Sequence, residues 1–159
     1  MKKMIIICIV LFLGVSSINA QFFNKKDVEI YENDVAEQAR DLVKDHLDLT
    51  EEQDSIFWPL YDEFNTESQA ILDAELDVLE EYLMYYYILK DKKATELMRK
   101  SNELKRNRLD LQEEYFEKMS KVLPPKLVGK FFQIDYRINL MINHQRTDRI
   151  PLVRDQDKH

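Results

Sequence analysis

Cysteine, glycine, proline and histidine are all scarce in this chain, and each shortage excludes something. Of 159 residues one is cysteine, two are glycine and four are proline. A single thiol, Cys8, cannot form a disulfide within the chain, so the fold is held by core packing or by association rather than by covalent staples. No Asn-Gly or Asp-Gly pair occurs, and with so few turn residues a sheet of tight hairpins is excluded. The fold class is therefore all-α. The three histidines, His46, His144 and His159, lie far apart. No Glu-x-x-His pair, His-Glu-x-x-His motif, phosphate loop or glycine-rich fingerprint is present, so the chain reads as no enzyme, with no cofactor and no metal. His46 reads as a helix-end residue whose cation suits the dipole, rather than as a ligand.

Thirty acidic residues against 23 basic ones give a net charge of −7. Residues 1–20 read as a cleavable signal peptide. Lys2 and Lys3 precede an apolar stretch from Met4 to Val15, too short to span a bilayer comfortably, and Ser16-Ser17-Ile18-Asn19-Ala20 offers a small-residue cleavage site. The other reading, an uncleaved anchor, lacks a stop-transfer flank. Removing that segment takes two lysines and Cys8 with it and leaves a more acidic chain without cysteine. Such a balance argues against nucleic acid and anionic membrane as general partners, and no membrane insertion is expected after cleavage.

Hydrophobic periodicity lays out the rest. Residues 21–27 read as a flexible N-terminus, 28–143 as one helical domain, and 144–159 as a flexible C-terminal tail. A first amphipathic helix runs from about Val28 to His46. A second is expected from Glu51 to about Leu89, with two apolar stripes that cover more than half its circumference and a bend at Pro59. Lys90-Asp91-Lys92-Lys93 is the polar break, with Asp91 as a cap, before a third helix from Lys92 to Lys121 antiparallel to the second. Leu123-Pro124-Pro125 ends it and opens a fourth, where Pro125 suits a first helical position because no donor is lost there. The fourth helix is apolar on two faces. A long helical hairpin with flanking helices has too few layers to cover all these stripes, which points to an antiparallel homodimer.

The sharpest local signal is Leu49-Thr50-Glu51-Glu52-Gln53. Thr50 can accept from the amide of Gln53 while Gln53 reaches back to the amide of Thr50, a capping box, with Leu49 placed to staple the first turn and two glutamates facing the positive end of the dipole. Leu49-Thr50-x-x-Gln53 ahead of an aromatic-rich helix resembles the LTXXQ-motif family of periplasmic stress proteins, the Spy- and CpxP-like proteins. Leu123, Pro124 and Pro125 fall where that family places its second, related motif, over a resemblance covering roughly 28 to 143. Pro124 stands at the threonine position and Leu127 at the glutamine position, so only a helix-starting role carries over. The resemblance implies a curved, cradle-like homodimer in the periplasm and an ATP-independent chaperone that binds unfolded envelope proteins. A regulatory adaptor or sensor binding one envelope-stress signalling partner, possibly linked to metal in some relatives, is the alternative it leaves open.

Candidate contact residues follow from local sign and exposure. Arg99, Lys100, Lys105, Arg106 and Arg108 form the one stretch of reversed charge; it is either a solvated face paired with Glu96 and Glu103 or a patch, with Arg99, Lys105, Arg106 and Arg108 as its candidate contacts, that attracts acidic unfolded segments. Arg108 lies within the main apolar stripe, so it is either a snorkelling arginine paired with a carboxylate or a functional contact. Met98, Leu109 and Phe116 make a lesser apolar stripe about 100° away. Of the run Tyr82, Tyr85, Tyr86 and Tyr87, the last is the best placed for a partner.

Overall fold

The computed structural model describes residues 38–147 and 150–153. All the secondary structure in them is helical: α1 over 38–46, α2 Glu51–Tyr85, α3 Asp91–Ser120 and α4 Pro125–Thr147. The expected signal peptide, flexible N-terminus and start of the first helix lie outside the described residues. Within them, no helix is long and apolar enough to cross a membrane.

The starts of α2 and α4 are set by residues within a turn of them. At α2 the Thr50 hydroxyl accepts from the Gln53 amide at 3.2 Å, and the Gln53 side chain accepts from the Thr50 amide at 3.1 Å. The expected capping box is present, and Glu51, Glu52 and Asp54 occupy the first turn. Leu49 packs against the core. Thr50→Ala should therefore cost about 1 kcal/mol, read as a lowered melting temperature; an unchanged melt would show that the box contributes nothing to stability. Pro59 denies the carbonyl four residues earlier its amide, yet α2 continues through it for 35 residues in all. At α4, Pro125 takes the first position and the Pro124 carbonyl accepts from Leu127 and Val128.

The hairpin turn departs from expectation. α2 stops at Tyr85 rather than near Leu89, because Tyr86 and Ile88 donate to the Leu83 and Tyr85 carbonyls and the chain turns to bury Leu89. Lys90, not Asp91, is the N-cap of α3, with no side-chain cap bond; Asp91 is already helical, where its carboxylate faces the helix dipole. At the other end α4 continues to Thr147, past the expected end at Asn143. Residues 150–153 are described too, and the Tyr82 hydroxyl donates to the Pro151 carbonyl at 2.8 Å.

α2 and α3 pair along their length, and α4 lies on the half of the hairpin farthest from the turn. There a core of Val43, Leu47, Phe57, Tyr61, Phe64, Leu111, Tyr115, Met119, Leu123, Val128 and Phe131 draws on every helix. Nearer the turn, among the described residues, only Leu72, Leu76, Leu89 and Leu97 are buried. That thinner half is also tied by charge: Glu81 accepts from both Lys93 and Lys100, and those two hydrogen bonds hold its carboxyl below the usual carboxylate range. α1 is clamped to α2 by Arg40, which pairs with Asp62 and lies 4.4 Å over the Trp58 ring.

Candidate functional site

On α3, Met98, Leu109 and Phe116 are spaced by eleven and seven residues, so at 100° per residue they point within about 20° of one direction. They are 60%, 54% and 41% exposed. Lys105 falls in the same strip, seven residues from Met98, while Arg99 and Arg106 share the next face round. None of these three cations forms an ion pair among the described residues, whereas Lys93 and Lys100 are consumed by Glu81 and Glu96. Of the basic run, Lys100 makes the expected pairing with Glu96, at 3.2 Å, and also pairs with Glu81.

Arg108 does not join the strip. It turns into the hairpin, where Nη2 donates to Glu75 Oε2 at 3.2 Å, Nη1 to Ser68 Oγ at 3.3 Å, and Nε to Glu75 Oε1 at 3.5 Å. This is the paired arginine at the core edge of the two readings open from the sequence. Tyr87 is also apart from the strip, at the hairpin turn, exposed and with its ring edge-on to Tyr86 at 5.0 Å between centroids. The two motif segments are structural: Leu49 and Leu123 face the core, Thr50 and Gln53 cap α2, and Pro124 and Pro125 are exposed at the start of α4.

α4 sets its second apolar face beside this strip, a juxtaposition that the spacing within either helix does not give. Phe132 stacks near Phe116 with centroids 6.2 Å apart, and Tyr136 and Leu140 continue along α4 at 60% and 49% exposure. The α3 strip and this α4 edge flank one another, since Gln112 of α3 donates to Asp135 of α4 at 3.3 Å. Between Phe116, Phe132 and Tyr136 lies an open groove of about 320 Å³.

Asp135 is a residue the sequence reading passed over. Its carboxylate accepts from Gln112 and, at 3.1 Å, from Asn139, and burial pushes its pKa up against the opposing pull of those bonds and of the Arg108 charge. With Arg108, Ser68, Asn65 and Tyr61 it lines an inner cavity of about 60 Å³, room for a few waters and too small for a drug-sized ligand. Burial also raises the Tyr61 hydroxyl to about 12, so it stays protonated at neutral pH. The signal that could have found Asp135 is its place between Phe131 and Ile138 on the apolar side of α4, where a carboxylate needs partners.

Among the described residues no group of three His, Cys, Asp or Glu side chains is placed to hold a metal. What the α3 strip and the α4 edge present to solvent is apolar side chains beside charged ones. No family model, curated protein or solved structure matches this chain.

Proposed function

We propose that this protein is an ATP-independent, chaperone-like holder of unfolded envelope proteins in the periplasm, of the LTXXQ-motif kind, reached through a cleavable signal peptide. The observation that carries the reading is the exposed apolar strip of Met98, Leu109 and Phe116 beside Arg99, Lys105 and Arg106, which form no ion pair among the described residues. Large apolar side chains gathered on one face of a chain otherwise rich in charge mark an interaction surface, and free cations beside them steer acidic segments of an unfolded chain towards it. The same reading has two copies associating as an antiparallel, cradle-like homodimer, because Leu140 and Met141 leave the later part of α4 apolar where its own chain does not cover it.

The test is aggregation of a chemically unfolded protein, followed by light scattering, with this protein titrated in. Suppression is expected at about one dimer per unfolded chain and should weaken as salt screens the cations. Lys105→Glu with Arg106→Glu should weaken it at low salt without lowering the melting temperature, since both side chains are exposed. Light scattering on the eluting protein should give twice the chain mass. No suppression at several-fold excess, with one stoichiometric partner recovered instead, would favour the regulatory adaptor.

A further inference from the structure

α3 is electrically bipolar. From Asp91 to Arg108 it carries seven Lys and Arg against three Asp and Glu; from Leu109 to Ser120 it carries four acids, Asp110, Glu113, Glu114 and Glu117, against the single base Lys118. Lys118 is taken by Glu63 of α2, so that second half keeps no free cation. The groove between α3 and α4 lies against this acidic half. Phe116, Phe132 and Tyr136 form its apolar lining, and Glu113 and Glu117 stand along its α3 rim. Both glutamates are exposed, and neither forms an ion pair among the described residues. Gln112, at the inner end, is already bound to Asp135.

From this charge pattern we infer that the groove is a docking site for a cationic apolar polypeptide segment, one whose aromatic or aliphatic residues are flanked by lysine or arginine. The inference rests on the reading of the chain as a holder of polypeptide and adds the class of segment it takes at this place. The groove is at the lower end of ligand-sized clefts, enough for one or two large side chains of an incoming segment. Apolar contact with the three rings supplies the affinity. An exposed ion pair adds little affinity, but two carboxylates that form no ion pair among the described residues bias the choice of partner and its rate of arrival. An acidic segment meets repulsion here and is directed to the opposite half of α3. The face thus sorts segments by the sign of the charge that flanks their apolar residues.

Three labelled peptides of one length, each with a central Phe-Leu-Phe and with lysine, serine or glutamate flanks, are titrated with the protein and followed by fluorescence anisotropy. The lysine-flanked peptide is expected to bind about tenfold more tightly than the glutamate-flanked one at low salt, and the gap should shrink to about twofold near 0.5 M salt. Glu113→Gln with Glu117→Gln should erase the gap and leave the melting temperature unchanged, and Phe116→Ser should weaken all three peptides. Equal binding of the three, or a preference for glutamate flanks, overturns the inference. So does a dimer that refuses the peptides and dissociates on Glu113→Lys with Glu117→Lys, because the occupant is then the basic half of a second copy. The aggregation assay separates the two proposals. Selective lysine-peptide binding without suppression of aggregation removes the holder reading and leaves the groove; suppression with no flank preference removes the groove alone.

Discussion

Phe131→Ala is expected to lower stability by about 3–5 kcal/mol, the usual cost of emptying a buried aromatic site. Phe131 is 1% exposed, and its ring centroid lies 5.3 Å from Phe57, 5.8 Å from Tyr61, 5.7 Å from Phe64 and 4.8 Å from Phe132. It is the side chain through which α4 enters the aromatic core of α2, and rings this closely interlocked cannot collapse into the vacated space without losing their edge-to-face geometry. Set against a typical total of about 5–15 kcal/mol, the loss removes a large share of what holds the domain. Urea unfolding followed by the fluorescence of Trp58, the one tryptophan, measures it at the right place, because Trp58 packs edge-on against Phe57 and Tyr61. Tyr136→Ser, on the same helix but 60% exposed, should shift the midpoint by no more than about 0.5 kcal/mol. If the two variants unfolded alike, α4 would not be docked through Phe131.

The second large effect belongs to the inner polar cluster. Arg108→Met removes the cation from between two carboxylates, Glu75 at bonding distance and Asp135 across the small cavity, and should cost about 2 kcal/mol at neutral pH, since one partner of a partly buried pair is left behind. The pH dependence has a definite sign. Burial raises the folded-state pKa of Asp135 above its unfolded value, so the folded protein takes up this proton more readily than the unfolded one. The contribution of Asp135 to stability is then most favourable below the unfolded pKa and is lost as pH rises through the folded pKa. Removing the Arg108 charge, which pulls that pKa down, must move it further up. The deficit of Arg108→Met relative to the natural protein should therefore be widest at neutral pH and shrink on acidification. Asp135→Asn, which keeps the shape and deletes the charge, should be at least as stable as the natural protein at neutral pH and lose that advantage in acid. Urea midpoints across this pH range check both, and an Arg108→Met deficit independent of pH would show that the cluster is not electrostatically linked.

Much of the architecture could be read before any coordinates, for reasons that differ by element. The start of α2 was legible because a capping box needs only Thr50 and Gln53, three residues apart. The start of α4 was legible because Pro125 has no amide to lose. The hairpin turn was misplaced by four residues, since nothing local in Tyr86, Tyr87 and Ile88 stops a helix; it stops there because Leu89 finds cover. The basic run could be read as a run, but not which of its members were free. Lys100 is spent on Glu81, nineteen positions back, and Arg108 on Glu75, thirty-three back, while Arg106 forms no ion pair among the described residues.

Helix or not, and where α2 and α4 begin, was decided by hydrogen bonds and side-chain spacing within about one turn, information that any short window of this chain contains. The interaction face depended on something no window holds, namely which apolar and charged groups another helix covers. α3 buries Tyr115 completely and leaves Phe116 two-fifths exposed, although the two are adjacent and similar in size. The difference is that α2 and α4 close over one direction of α3 and not the other, and burial follows from the area that a neighbouring helix removes from water.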